Sequence, residues 1–272
     1  MTENALDTSY DTWAERLSAR RQMLELRAPD GWSVERLEQV VLTAIQRTPK
    51  LRACAPHTIL SAVYELAELG LYPGGSLGQA YLVPFRSRCQ LIIGYKGLIA
   101  LAMRSGIVSS VDGHVVYRLD AFDYEEGSQP FVKHKPSLEE ERGEPIAAYA
   151  IARMANGAHK QRVMSIHEIH AIRNKSSGYQ FAESSGKTAD SPWHQYKPQM
   201  AVKTVMRQLL KTMPLTADDR SSSLVRAMEL DAQWDAGIPQ DLPIVDADFV
   251  EQGDGDTSEL DEIIDGVNTD AQ

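Results

Sequence analysis

An α+β fold is what this sequence predicts, and three observations predict it. Two stretches in the first third of the chain repeat apolar residues at helical spacing, and each carries a terminus signal. Two later stretches each hold a pair of short strand-like runs joined across a tight polar connection, the pattern of antiparallel hairpins. Between these signals, Leu69 to Phe85 combines a helix stop, a glycine-rich bend and a first strand in one continuous segment.

The elements follow in chain order. Residues 1–30 are polar and mixed in charge, with Trp13, Leu17, Leu24 and Leu26 as apolar positions, and read as a helical N-terminal arm. Ser33 has the chemistry of an N-cap for a helix whose Leu37, Val40, Val41, Ala44 and Ile45 share one face. A second helix begins near Pro56, turns Ile59, Leu60, Val63, Leu66 and Ala67 inward, and stops at Gly70, which suits a left-handed cap. Pro73-Gly74-Gly75 reads as a tight bend, and Ala80 to Phe85 with Cys89 to Ile93 as two strands across Arg86-Ser87-Arg88. Gly94-Tyr95-Lys96-Gly97 leads into an apolar helix, Leu98 to Ser105, that Gly106 ends. Val111 to Tyr117 and Phe122 to Tyr124 are strand material, and Lys133 to Glu144 reads as a charged loop.

Ile146 to Met154 and Gln161 to Ser165 form a second hairpin across Ala155-Asn156-Gly157-Ala158, where Asn156-Gly157 supplies the positive φ of the turn. Ser165-Ile166-His167-Glu168 matches a capping box, so a helix should run to about Asn174. Ser176 to Asp190 reads as a flexible loop, and Pro198 fits the first turn of a helix that continues to about Met213. After Val225 the apolar density falls, and from Gly237 the chain reads as acidic and largely disordered, with one apolar segment, Leu242 to Phe249. The expected organisation is an arm at 1–30, a core at 31–225 and an acidic C-terminal tail at 226–272.

Composition excludes several classes. No apolar run approaches the roughly 18 residues of a membrane span, and Met1-Thr2-Glu3-Asn4 lacks the basic and apolar regions of a signal peptide, so the cytoplasm is the expected compartment. Cys54 and Cys89 fit neither a disulfide framework nor a metal spacing. The net charge of −10 would oppose a polyanion if it were spread evenly. However, residues 229–272 hold 14 Asp and Glu and no Lys or Arg, leaving 28 basic against 24 acidic residues in 1–228. Ala147 to Thr212 alone carries ten Lys and Arg against Glu168, Glu183 and Asp190. That asymmetry is the footprint of a polyanion site beside an acidic tail.

The sharpest constellation is Lys203, Arg207 and Lys211, spaced by four and therefore in one stripe on a helix whose Val202, Val205, Met206, Leu209 and Met213 face the other way. No acidic residue four positions away neutralises them, which favours a phosphate-binding row over a merely solvated face. Arg173-Asn174-Lys175-Ser176-Ser177-Gly178 puts two cations at a helix end entering a loop, and Arg86 and Arg88 stand at a hairpin tip. Lys96 sits at a strand-to-helix junction with Arg104 two turns on, and helix N-termini favour anions. Arg153 and Arg162 add local positive charge. Tyr81, Tyr95, Tyr149, Tyr179 and Trp193 could stack on bases, although Tyr81 and Tyr149 alternate with aliphatics and are expected in the core.

Three enzyme patterns fail. Ser185-Gly186-Lys187-Thr188 ends like a P-loop, but Phe181 stands where that motif needs glycine. His167-Glu168-Ile169-His170 is one residue short of the zinc motif HExxH. A Mg²⁺-dependent nuclease would gather carboxylates, and Glu65, Glu68, Asp112, Asp120, Asp123, Glu125 and Glu126 form no such pattern. No catalytic residue, cofactor or metal site is expected.

Four blocks between Thr48 and Pro214 resemble the RecT family of phage and prophage recombinases. They are Pro49-Lys50-Leu51-Arg52-Ala53-Cys54, Leu71 to Phe85, Cys89 to Gly97, and Trp193 with Ala201 to Lys211. The resemblance implies a single-strand annealing protein core, a small antiparallel sheet backed by helices, that forms homo-oligomeric rings or helical filaments on DNA. It implies ATP-independent annealing of complementary single strands, with the backbone in a basic groove and the bases exposed, followed by retention of the duplex product. Lys96, Lys203, Arg207 and Lys211 sit inside matching motifs. Arg86, Arg88, Arg104, Arg153, Arg162, Arg173 and Lys175 rest mainly on local charge. A phage exonuclease and the host single-strand binding protein are implied partners, and the tail could dock such a partner or compete with DNA for the groove. The alternatives are a nonspecific single-strand binding module without annealing, and a Mg²⁺-dependent nuclease.

Overall fold

Local chemistry sets the helix ends. Ser33 Oγ accepts from Arg36 N–H and starts the helix Val34–Arg47. Gly70, at φ 58° and ψ 45°, closes Pro56–Leu69 in the left-handed conformation. Its missing Cβ leaves room for Arg104 Nη1 and Pro29 Cγ, which a side chain would meet at 2.6 and 2.8 Å. Ser165 and Glu168 form the reciprocal capping box.

The computed structural model describes residues 12–242 apart from 75, 76, 86, 187, 214–218, 237, 239 and 241. Arg86, the first eleven residues and residues 243–272 therefore lie outside the described residues, while Gln240 and Leu242, expected within the disordered tail, are buried. The order is α1 (12–18), α2 (Arg21–Arg27), α3 (Val34–Arg47), a 3-10 turn (Pro49–Ala53), α4 (Pro56–Leu69), β1 (Ala80–Phe85), β2 (Arg88–Ile93) and α5 (Tyr95–Arg104). There follow β3 (Val108–Tyr117), β4 (Ala121–Glu125), β5 (Phe131–Lys135), β6 (Pro145–Met154) and β7 (His159–Ser165). The chain then runs through α6 (Ile166–Lys175), α7 (Ser177–Ser184), a 3-10 turn (Thr188–Asp190), α8 (Pro192–Gln195), α9 (Lys197–Leu210) and α10 (Asp219–Asp235). The α+β class holds: three small antiparallel sheets, β1-β2, β3-β6-β7 and β4-β5, pack with helices.

The central sheet has two faces, set by register. Gly113 pairs with Ala150 and Val115 with Ala148, and across β7 Ala148 pairs with Met164, Ala150 with Arg162 and Ala152 with Lys160. Direct partners share a face, and this one lies under α9. A Cβ on Gly113 would meet Met206 Cε at 2.7 Å and Val202 Cγ1 at 3.1 Å. The opposite face carries Val116, Tyr149 and Val163, covered by Phe122 of β4 and Val132 of β5.

Four sequence expectations need correction. Lys133 to Glu144 is not wholly loop, because Phe131–Lys135 pairs with β4. Its charged residues alternate with the inward Val132 and His134, so the period of two was hidden. Ser176 to Asp190 contains α7 and a 3-10 turn, anchored by the buried Tyr179. The arm is part of the body: Trp13, Leu17 and Leu24 join the main core, Leu26 stays 75% exposed, and Arg21 Nε reaches the buried Glu38 at 3.1 Å. The expected core-to-tail boundary at Val225 falls inside α10, whose Leu224, Ala227 and Leu230 are buried. Cys54 and Cys89 are buried free thiols, and burial pushes Cys89 up to about 12.

The block Gly94 to Gly97 owes its glycines to packing. A Cβ on Gly94 would lie 2.2 Å from the Gly78 carbonyl oxygen, and one on Gly97 would lie 2.2 Å from that of Gln79. Gly94 N–H also donates to the Gln79 carbonyl at 2.8 Å. The loop before β1 thus packs backbone to backbone on the first turn of α5. Backbone cannot step aside as a side-chain tip can, so Gly97→Ala is expected to lower stability by about 2 kcal/mol. Chemical denaturation of the two proteins checks this.

Candidate nucleic-acid interface

The capping box turns β7 into α6, and α6 lies against α9. Ser165 N–H donates to Glu168 Oε2 at 2.8 Å, and Glu168 N–H donates to Ser165 Oγ at 3.2 Å. The Ser165 N–H bond, together with Ser165 Oγ–H donating to the same carboxyl oxygen at 2.8 Å, holds the Glu168 carboxyl below its usual range, with Arg162 and His167 adding to the effect. One turn later His170 is half-buried, and its pKa is lowered by burial and by the neighbouring Arg173, His167 and Lys197. Arg162 and His167 thus lie near Glu168, and His167, Arg173 and Lys197 lie near His170, which brings together basic side chains from β7, α6 and the first residue of α9. Arg173 is further positioned by its guanidinium over the Tyr179 ring at 4.6 Å and by Nε donating to Asn174 Oδ1 at 3.0 Å. Lys175, at the end of α6, is exposed.

The other predicted residues differ in exposure and in the contacts they make. Lys96 is exposed, and Tyr81, expected in the core, is 44% exposed on the outer face of β1. The two meet across Gly78: the Cβ position of that glycine lies 2.9 Å from Tyr81 Oη and 3.8 Å from Lys96 Cδ. Arg88 and Arg153 are exposed, Lys211 is exposed just beyond α9, and Lys203 is half-buried within it. Arg104 donates to the carbonyls of Leu69 and Gly70, so it caps the C-terminus of α4.

Arg207 does not face solvent. Its side chain is 11% exposed and forms an ion pair with Asp231 of α10, which is 1% exposed. The neutralising carboxylate lies 24 residues away in sequence, beyond the reach of any i, i+4 argument. The expected three-cation stripe is thereby corrected at its middle member. Tyr149 is buried as expected, Tyr179 is buried beneath Arg173, and Tyr95 and Trp193 pack partly against the core.

The sequence reading missed His170 and Lys197 as members of the basic group. His167, His170 and Arg173 lie three apart on one helix, so that stripe was available, but only the fold brings Lys197 to it. Among the described residues, no cluster of three or more His, Cys, Asp or Glu is placed to hold a metal ion, and no helix is long and apolar enough to cross a membrane.

Five basic groups gathered around one helix, with Glu168 turned back into its own cap, are chemically suited to hold a polyanion. The chain belongs to the RecT family, whose model matches residues 35–236. It is 32% identical over 239 residues to Protein RecT of Escherichia coli (strain K12), covering 84% of this chain and 83% of that protein. It is also 22% identical over 190 residues to Uncharacterized protein YqaK of Bacillus subtilis (strain 168), covering 70% of this chain and 62% of that one. Membership in the RecT family implies a single-strand annealing recombinase that binds single-stranded DNA, a class that is generally non-catalytic.

The two kinds of cation separate by experiment. Arg207→Ala removes an ion-pair partner of the buried Asp231 and is expected to cost about 3 kcal/mol of stability. Lys211→Ala, at an exposed position, should stay within about 0.5 kcal/mol of the parent. Urea titrations of both variants read the difference.

Proposed function

We propose that this chain binds the phosphate backbone of single-stranded DNA on the basic group of β7, α6 and α9 and anneals the bound strand to its complement without ATP. The observation that carries the reading is the convergence of Arg162, His167, His170, Arg173 and Lys197 inside the span matched by the family. Lys175 extends that surface, and Lys96 with the exposed Tyr81 offers a second contact, a cation beside a ring on which a base can stack. Lys203, Lys211, Arg88 and Arg153 add long-range attraction, whereas Arg104 and Arg207 serve mainly the fold.

The mechanism follows from the charge. Cations on one side of a strand reduce its repulsion of a second strand and leave Watson–Crick edges free to test partners. Base pairing supplies the specificity, and pairing is downhill, so no nucleotide is needed. One subunit grips few phosphates, and a homo-oligomeric ring or filament multiplies that grip along the strand. An exonuclease that supplies single strands and a host single-strand binding protein that surrenders them fit this role as partners.

The deciding assay preloads the protein on one labelled oligonucleotide and adds its complement without nucleotide. Rapid formation of a protein-bound duplex that survives a noncomplementary competitor is the expected result. Binding without faster pairing would leave a single-strand binding module, and strand loss in Mg²⁺ would indicate a nuclease. Replacing Arg173 and Lys197 with Ala should flatten the slope of log affinity against log salt by about 1.4, the loss of two single-strand phosphate contacts.

The interface also carries a pH signature. His170 is held below the ordinary imidazole pKa by burial, Arg173, His167 and Lys197, and an incoming phosphate opposes this effect and raises it. Binding therefore takes up a proton, so affinity should rise as pH falls through the interval below about 6.5. His170→Ala should remove that part of the gain in fluorescence-anisotropy titrations.

A further inference from the structure

Beyond α10 the chain turns back onto β2. Trp234 meets Phe85 edge-on with ring centroids 6.3 Å apart. The buried Gln240 amide accepts from Leu91 N–H at 2.8 Å, donates to the Leu91 carbonyl at 2.6 Å, and donates again to the Leu230 carbonyl at 3.0 Å. A carboxamide has the donor and acceptor of a peptide group, so Gln240 takes the place of a third strand at the outer edge of β2. The neighbouring Cys89 N–H on that strand is taken by Thr58 Oγ1 at 2.9 Å. Leu242 is 6% exposed beside it.

This anchor sets where the remaining chain departs. His57, Arg88, Gln240 and Leu242 line one small recess. Ala55 N–H donates to the Ser87 carbonyl at 2.7 Å, holding the β1-β2 turn against the end of the 3-10 turn that carries the exposed Lys50 and the half-buried Arg52. The thirty residues 243–272 that begin here contain ten Asp and Glu and no Lys or Arg.

We propose that residues 243–272 dock in cis on the basic surface formed by Lys50, Arg52 and Arg88 and, by the negative charge they bring to the body, compete with single-stranded DNA. Docking stands on the anchor and on charge complementarity, while competition rests on the function proposed above. Thirty residues reach roughly 30 Å even at random-coil dimensions, so the whole surface around the exit point is within reach. Tethering raises the effective concentration to the millimolar range, so individually weak contacts suffice. Opposite charges at this range attract over a Debye length of about 10 Å at 0.1 M salt. A DNA strand, which brings more charge to more of the body's cations, displaces the segment.

The test uses the full chain in two measurements. A carbodiimide joins lysine amines to adjacent carboxylates, and mass spectrometry should find intramolecular links from Lys50 to Asp or Glu of 243–272, lost on saturation with an oligonucleotide. A full-length variant with those ten carboxylates changed to amides should bind the oligonucleotide about fivefold tighter at ~50 mM salt, with the difference vanishing at high salt. Links that avoid Lys50, or that join only separate copies, would overturn docking in cis. Unchanged affinity in the neutralised variant would overturn competition. Failure of the unaltered chain to bind any oligonucleotide would instead remove the proposed function, while the Lys50 links measured without DNA still decide the docking.

Discussion

The close approach of α9 to the central sheet is the constraint on which the remaining structure depends. Gly113, Ala148, Ala150 and Ala152 line the face of β3 and β6 beneath the helix, and Val202, Val205, Met206 and Leu209 fill the shallow surface they leave. Larger side chains on those strands would lift the helix and open gaps that a close-packed interior does not tolerate. The approach also places the edge strand β7. Lys160 and Arg162 point to the helix side of the sheet, where Lys160 donates to the Thr212 carbonyl just beyond α9. The capping box then turns the chain into α6 beside the start of α9, and this is how His170 comes to share its surroundings with Lys197.

A second layer of order comes from arginines that never reach the outside as free charges. Arg207 holds Asp231, Arg226 holds the buried Glu65 at 2.7 Å, and Arg21 holds Glu38. The second pair ties α10 to α4, distant in sequence, and the other two tie the consecutive α9 and α10 and the consecutive α2 and α3. Asp120 is the densest case. Arg142 binds both its oxygens, and the Tyr117 and Ser137 N–H groups and His134 bind it as well. The Arg142 bond in particular holds its carboxyl well below the usual range. Such pairs are weak sources of net stability because desolvation offsets their attraction, but losing the arginine removes a partner from a buried carboxylate. Their effect is to fix which helix faces which.

Features set by neighbouring residues were legible in the sequence. The Ser33 cap, the Gly70 stop, the Ser165 and Glu168 box and both hairpins depend on contacts within a few positions, and all are found where local chemistry puts them. Features set by distant pairing were not. Nothing near Arg207 announces Asp231, and nothing near Leu91 announces Gln240. β5 was hidden because its outward residues are charged, and α7 because one buried tyrosine makes no periodic signal. The basic character of Ala147 to Thr212 was readable as a count. Which of its cations remain available to a ligand was not, since that depends on carboxylates supplied by α10.

The net charge is accordingly a poor guide to what this protein can bind. A formal −10 averages internal ion pairs, which cancel over a few ångströms, with a C-terminal segment holding ten carboxylates. Screening confines each of these contributions to about 10 Å at 0.1 M salt, so a strand approaching α6 responds to the charges around α6 rather than to the sum. There Glu168 is engaged by its own helix cap, and the half-buried His170 is held below the ordinary imidazole pKa by burial and by the cations beside it. An annealing protein gains from such an arrangement. Its grip must be strong enough to hold a backbone, yet shallow enough to leave the bases exposed and the product able to move. Exposed and half-buried cations at the ends of α6 and α9 suit both requirements.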